Sequence, residues 1–213
     1  MSPVTKERII FNESFNYPDG ELPAIWWSEG DVGRIKDGRL FVDADKDSLG
    51  VSTVWLDREF SGDVRVEFDA HIVSSRDTAN NINCFLFYSD PRGRDLRASK
   101  EDRASGAYKY YHSLNGYIFT YLANGNPEEA RVRLRFNPGF ELLDENFGYE
   151  CKTGTTYRVQ ITRKNNHFEY RVNGKELTNT VGKQAVSHEA GLFGFRTWHT
   201  CLWWDNLVIT QLE

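Results

Sequence analysis

Val64-Arg65-Val66-Glu67-Phe68-Asp69-Ala70-His71-Ile72 is the stretch that decides the fold class. Val64, Val66, Phe68, Ala70 and Ile72 alternate with Arg65, Glu67, Asp69 and His71. Side chains of an extended chain point alternately to opposite faces, so the run reads as a strand with one face in a core and one in water. The signal continues in both directions. Upstream, residues 34–36 and 39–42 flank Asp37-Gly38, a dipeptide suited to the positive φ values of a tight hairpin. Downstream, strands are expected over residues 81–88, 108–112, 117–122, 131–136, 157–162, 167–172, 191–197 and 202–210. Turns are expected at Asn115-Gly116, Lys164-Asn165-Asn166 and Asn173-Gly174, the last leading into Lys175-Glu176-Leu177.

At least a dozen short strands at this spacing predict an all-β, two-sheet sandwich with almost no helix. Crossover helices for parallel pairing are missing, so the sheets are expected to be antiparallel. Residues 92–103 are dense in charge and poor in apolar side chains, and read as a loop with one helical turn. The length, 213 residues, fits one domain over residues 1–213.

Composition narrows the function classes. The net charge is −5 and no basic stripe is present, which argues against nucleic acid as a partner. No apolar run reaches the about 18 residues of a membrane-spanning helix. Residues 1–8 lack a hydrophobic signal core, so the expected location is cytoplasmic, or periplasmic if a leader has been removed. Cys84, Cys151 and Cys201 are too few and too scattered for a disulfide framework or a zinc site. Aromatic residues make up 14% of the chain, against one Met. Rings suit pleated sheets, and they also suit the apolar C–H face of a sugar. The sequence leaves the oligomeric state open.

Several constellations could carry chemistry. Asn81 and Asn83 share a strand face, which strict alternation continues through Phe85 and Phe87, with Ile82, Cys84, Leu86 and Tyr88 opposite. Amides match sugar hydroxyls as paired donors and acceptors, although Asn80-Asn81 could simply end a turn. Arg131, Arg133 and Arg135 line one face of one strand. Arg binds carboxylate in bidentate fashion, so a uronate would suit this row; the alternative is a solvated face paired to Glu128, Glu129 or Glu141. Tyr108, Tyr110, Tyr111, His112, Asn115 and Tyr117 fall within ten residues, and Tyr and His move protons when their pKa values are shifted. The competing reading is aromatic sheet packing. In residues 191–199, Phe193 and Phe195 are expected to face the core, with Arg196 and Trp198 opposite and His199 at the turn. Arg beside Trp would make a stacked sugar platform, or no more than a surface contact. No motif requires a cofactor; Glu13 and Asp205 would share a structural Ca²⁺ if the first and last strands are neighbours.

The opening Ile10-Phe11-Asn12-Glu13-Ser14-Phe15, Asn115-Gly116-Tyr117, Arg133-Leu134-Arg135 and the ending Gly191-Leu192-Phe193-Gly194-Phe195-Arg196-Thr197-Trp198 with Trp204-Asp205-Asn206-Leu207 together resemble a bacterial family. It is the YesU-like set within the concanavalin A-like lectin/glucanase superfamily. The resemblance implies a concanavalin A-like jelly roll and an acidic oligosaccharide partner of the rhamnogalacturonan or ulvan type. The glucanase strand Glu-x-Asp-x-Glu departs here at His71, and Glu67 with Asp69 does not supply the carboxylate pair of retaining hydrolysis. Two functional expectations stand. In the first, a lyase, dehydratase or hydrolase uses Arg133, Arg135, Arg196, Asn81, Asn83, Tyr117 and Trp198 to hold a uronate. His112 or Tyr111 then moves the proton, with His199 in reserve. In the second, the chain is a non-catalytic, lectin-like module.

Overall fold

Three two-residue turns fold the chain back where the sequence places them. Asp37-Gly38, Asn165-Asn166 and Asn173-Gly174 each hold both residues at positive φ, the geometry whose twist matches that of paired strands. The computed structural model describes residues 7–45, 49–183 and 187–213. Residues 1–6, most of the segment read for a signal core, lie outside that description.

The strands are β1 (Glu7–Glu13), β2 (Trp26–Gly30), β3 (Arg34–Lys36), β4 (Arg39–Asp43) and β5 (Val51–Ser61). Then come β6 (Val64–Ser75), β7 (Asn81–Ser89), β8 (Asn115–Leu122), β9 (Arg131–Asn137) and β10 (Glu141–Phe147). The chain closes with β11 (Thr156–Lys164), β12 (His167–Val172), β13 (Lys175–Val181), β14 (Ala190–Trp198) and β15 (Thr200–Leu212). One sheet has eight strands in the order β13-β12-β11-β6-β15-β4-β3, with β1 also paired to β15. The other has seven, in the order β10-β9-β8-β7-β14-β5-β2. The described pairs are antiparallel, as the missing crossover helices require. The fold is a jelly-roll β-sandwich.

The core lies between the sheets. Val64, Val66, Phe68, Ala70 and Ile72 of β6 are fully buried, and Phe193 and Phe195 of β14 meet them from the other sheet. Phe195 packs edge-on against Phe68 at 5.0 Å and stacks on Trp204 at 4.9 Å. Each such side chain contributes about 1.5–3 kcal/mol of transfer free energy. Glu67 and Asp69 sit on the outer face of the eight-stranded sheet, paired with Arg65 at 3.1 Å and Arg158 at 3.3 Å.

Three local expectations are corrected. Strict alternation fails in β7 at a bulge: Phe87 has φ 57° and the register shifts between Leu86 and Ser89. Leu86 and Phe87 both face the inter-sheet core, and Tyr88 joins Phe85 on the outer face. Asn115-Gly116 is not a turn but the start of β8, where Gly116 lies so close to the Tyr88 ring that a Cβ would collide with it. Residues 108–112 are not a strand: Tyr108–Tyr111 forms a 3-10 turn, because this segment crosses a sheet face instead of joining its edge.

That crossing segment, residues 90–114, covers part of the outer face of the seven-stranded sheet. Leu96, Tyr111 and Leu114 from the cover pack with Trp27, Trp55, Phe85, Tyr88 and Ile118 from the sheet, forming a second apolar layer. Residues 92–103 supply its charged part and contain one short 3-10 turn, Lys100–Arg103. Gly194 makes room for this layer, since a Cβ there would lie 2.6 Å from the Trp55 ring. Gly194→Ala is therefore expected to cost about 1–3 kcal/mol through overpacking. Urea unfolding, read by tryptophan fluorescence, checks this.

Candidate functional site

Strand register lines up one polar residue from each strand of the seven-stranded sheet. On the outer face Glu145 pairs with Arg133, Arg133 with Thr120, and Thr120 with Asn83. Asn83 pairs with Arg196, Arg196 with Thr53, and Thr53 with Glu29. The result is a continuous polar row, Glu145–Arg133–Thr120–Asn83–Arg196–Thr53–Glu29, running straight across the sheet. Two residues along each strand lies an apolar row, in which Ile118, Phe85, Gly194, Trp55 and Trp27 pair in sequence beneath the cover. On the other side of the polar row lie Asn81, Leu122, Val51 and Trp198.

The cover stops at the polar row and is fixed there by buried polar contacts. Arg103 reaches Glu29 at 2.8 Å, with the two side chains 3% and 1% exposed. Trp55 Nε1 and Tyr111 Oη donate to Glu29 Oε2 at 3.0 and 2.7 Å. Burial pushes the Glu29 carboxyl up, against the pull of Arg103, Trp55 and Tyr111. Gly30 and Gly106, both at positive φ, allow the two backbones to touch: a Cβ on Gly106 would lie 3.0 Å from Gly30 Cα. At the root of the cover Asp90, whose side chain is fully buried, accepts from Arg92 at 3.1 Å and Arg94 at 2.8 Å. The hydrogen bond from Arg92 holds its carboxyl far below the ordinary range, outweighing desolvation.

Where the cover ends, a cavity of about 560 Å³ opens. Its floor is Arg133, Thr120, Asn83 and Arg196, with Asn81 beside them. Ser105, Ala107 and Tyr108 of the cover form one wall, and Leu49, Val51, Leu122 and Trp198 form the apolar side. The amide oxygens of Asn81 and Asn83 are buried and have no hydrogen-bond partner, and neither does Nε of Arg133, which lies 3.7 Å from the Glu145 carboxylate. Most buried polar atoms in proteins are satisfied, so three such atoms on one cavity floor mark a place prepared for a polar ligand. Burial, then the neighbouring charges of Arg131 and Arg135, push the Arg133 guanidinium down, an imbalance that an anion would relieve. Arg196 lies 4.6 Å from the Tyr108 ring and 4.8 Å from the Tyr111 ring, and its Nη1 donates to Thr53 Oγ1 at 2.7 Å and Gly106 O at 3.0 Å. Trp198 is 43% exposed and offers a ring face at the mouth.

Of the residues singled out in the sequence, the structure brings Asn81, Asn83, Arg133, Arg196 and Trp198 together in this cavity. The others lie elsewhere. Arg135 is next along β9, stacked on Phe140 at 4.1 Å and donating to its carbonyl. His112 stacks on Phe140 at 3.9 Å and lies edge-on to Tyr108 at 5.0 Å, behind the cavity wall. Burial and the charges of Arg196 and Arg135 push its imidazole down, so it is neutral at neutral pH. Tyr111 is buried under the cover with its hydroxyl on Glu29. Tyr117 points into the inter-sheet core, where its ring packs on Phe168 at 4.5 Å. His199 stacks on Trp198 at 4.1 Å, with Nδ1 3.8 Å from Asp77. Tyr108 belongs to the Tyr/His cluster read in the sequence but was given no role there, and Thr120 was not singled out. Thr120 had a local signal, as the lone polar side chain in the apolar run Tyr117-Ile118-Phe119-Thr120-Tyr121-Leu122.

Glu13 and Asp205 lie on the neighbouring strands β1 and β15, on the other sheet. Glu13 already accepts from the Phe15 amide at 2.9 Å and Tyr17 Oη at 3.1 Å, and Asp205 from the Asn206 amide at 2.7 Å. Among the described residues no group of three or more His, Cys, Asp or Glu converges to hold a metal. Two carboxylates engaged by their own chain do not fit Ca²⁺, which takes six to eight oxygens. Cys84, Cys151 and Cys201 are buried.

Comparison with known proteins agrees with this architecture. The model of a family described as a domain of unknown function, DUF6250, matches residues 46–207, and the chain belongs to that family. No curated protein matches. A Bacillus subtilis protein of unknown function with a galectin-like fold superposes with TM-score 0.81 at 18% identity, covering 98% of this chain and 99% of that one. The carbohydrate-binding module CBM66 from Bacillus subtilis gives 0.61 at 12%, covering 89% and 98%. The carbohydrate recognition domain of Emp47p gives 0.64 at 14%, covering 93% of each. At these identities the likeness concerns the fold.

Two predictions concern the cover. Arg103→Ala strands the Glu29 charge in the interior and is expected to cost about 3–5 kcal/mol, whereas the apolar pair Glu29→Leu with Arg103→Met recovers most of it. Chemical denaturation of the parent and the two variants measures the difference. Asp90 has a depressed folded pKa, so its contribution is complete above about pH 5 and is lost as pH falls toward the folded value. Asp90→Asn is expected to flatten the acid limb of a stability-versus-pH curve between about pH 4 and pH 2, relative to the parent protein.

Proposed function

We propose that this member of the DUF6250 family takes an acidic oligosaccharide into the cavity and holds a sugar carboxylate on Arg133 and Arg196. The observation that carries the reading is the cavity floor, where two guanidinium groups flank two unsatisfied asparagine amides. Guanidinium pairs with carboxylate in two parallel hydrogen bonds. Amides pair with adjacent hydroxyls, since each has a donor and an acceptor. The exposed ring of Trp198 supplies a flat apolar surface for the C–H face of a pyranose. Two structural neighbours are carbohydrate-binding domains by name, which supports sugar as the ligand class. The YesU-like resemblance points to rhamnogalacturonan or ulvan fragments.

The chemistry that suits this floor is elimination, by a lyase or a dehydratase. Neutralising a carboxylate by two cations acidifies the proton on the adjacent carbon, an electrostatic effect set up before the reaction begins. The described lining residues include two arginines and no Asp or Glu, so the paired-carboxylate route of glycoside hydrolysis finds no partners there. The same cavity would also serve a non-catalytic, lectin-like module, and the nature of the two named neighbours favours that second reading.

Calorimetry with uronate-containing oligosaccharides, set against neutral ones of the same length, tests the ligand class. Acidic chains are expected to bind and neutral ones not to. Arg133→Gln is expected to weaken binding about tenfold or more, a change of about 1.4 kcal/mol. Trp198→Ala is expected to weaken it as well, and added salt to weaken the parent complex. Equal affinity for neutral chains, untouched by Arg133→Gln, would remove the carboxylate from the reading.

A further inference from the structure

We propose that Tyr108 is the catalytic residue of this cavity, moving the proton in a β-elimination on the bound uronate. The inference rests on the proposed function and deepens it. Tyr108 comes from the cover, not the sheet, and stands over the polar row as the cavity wall. Arg196 lies 4.6 Å from its ring. Burial raises the pKa of its phenol, and the charges of Arg196, Arg133 and Arg135 pull the other way, toward the phenolate that acts as base. Among the described lining residues it is the one side chain other than arginine that titrates. The asparagines, Ser105 and Thr120 do not give up or take protons unaided, and arginine keeps its proton. His112 and Tyr111 lie behind and beneath this wall, against Phe140 and Glu29 respectively.

The step balances without an oxidant or cofactor. The Tyr108 phenolate takes the proton from the carbon next to the carboxylate. The electron pair left behind becomes a carbon–carbon double bond as the bond from the β-carbon to its oxygen substituent breaks. Tyr108 then returns the same proton to the departing oxygen. The products are an α,β-unsaturated acid and either an alcohol, when a glycosidic bond is cut, or water, when a hydroxyl leaves. Arg133 and Arg196 hold the carboxylate through the carbanion-like stage, in which its charge increases. One tyrosine on one face of the sugar suffices, so removal and departure occur on the same side.

The test is Tyr108→Phe, which keeps the ring that packs against Arg196 and removes only the hydroxyl. Turnover of uronate-containing oligosaccharides is followed by the ultraviolet absorbance of the conjugated product and by mass spectrometry, and binding by calorimetry. The parent protein is expected to form the unsaturated acid, with kcat rising as pH increases. Tyr108→Phe is expected to bind within a few-fold of the parent and to lose about 100-fold or more in kcat, together with the pH dependence. Full turnover by Tyr108→Phe overturns the role of Tyr108 and leaves the proposed function standing. Binding without product by the parent protein overturns catalysis and leaves a carbohydrate-binding module. No binding of acidic oligosaccharides by the parent overturns both.

Discussion

The contact on which the site depends is the buried pair of Glu29 and Arg103, 2.8 Å apart under Trp55 and Tyr111. Desolvation consumes much of the attraction between two charges out of water, so such a pair adds little net stability compared with apolar replacements. What it does supply is position. A carboxylate at the end of the polar row can be satisfied by the cover in one placement, with Arg103 on Glu29 and Tyr111 donating to it. That placement lays Leu96, Tyr111 and Leu114 on the apolar row and leaves Tyr108 at its border. A purely apolar contact between cover and sheet would tolerate sliding, because hydrophobic burial has no direction.

The polar row is the second constraint. A sheet face that is apolar along its length can be covered completely; one crossed by arginine, threonine and asparagine cannot be without leaving polar groups unpaired. The near end of the row is partly resolved internally, since Arg196 Nη1 is held by Thr53 and Gly106 and its guanidinium lies against the rings of Tyr108 and Tyr111. Its middle is not. Asn81 and Asn83 keep buried amide oxygens without hydrogen-bond partners, and Arg133 Nε has only the distant Glu145 carboxylate, 3.7 Å away. An unmade hydrogen bond of a buried group costs about 1–3 kcal/mol. Among the described residues such atoms also occur elsewhere, at Trp27, Arg163 and Trp204, but in the cavity they gather on one floor. The same two-sheet frame occurs in domains named for sugar recognition, while the distinctive chemistry here resides in the row and the cover.

The contrast between the two outer faces supports this division. On the eight-stranded sheet the charges of Arg65, Glu67, Asp69 and Arg158 neutralise one another in water, and His71 stacks on Trp203 at 5.1 Å. Exposed pairs of this kind contribute about 0–1 kcal/mol. On the seven-stranded sheet the arginines of β9 are crowded on one side and only partly matched by Glu129 and Glu145. The sandwich thus has one face whose charges pair with one another and one on which the arginines are only partly matched.

Local pattern determined the fold class, because alternation within a strand has a period of two and needs no knowledge of the partner strand. For that reason Asn81 with Asn83, and Arg196 with Trp198, were placed on shared faces from the sequence, and five of the residues it selected meet in the cavity. What local pattern does not contain is register between strands far apart in the chain. The alignment of Arg133, Thr120, Asn83, Arg196, Thr53 and Glu29 arises from pairing between separate segments. The bulge at Phe87, which moves Tyr88 to the outer face, breaks the alternation on which the reading relied. Residues 108–112 are rich in strand-forming tyrosine, yet tertiary contacts with Glu29, Arg196 and Phe140 hold them in a turn over the sheet. Propensity describes what a segment can do alone; where Tyr108 stands, and therefore what chemistry faces the ligand, was decided by the surface onto which the segment folded.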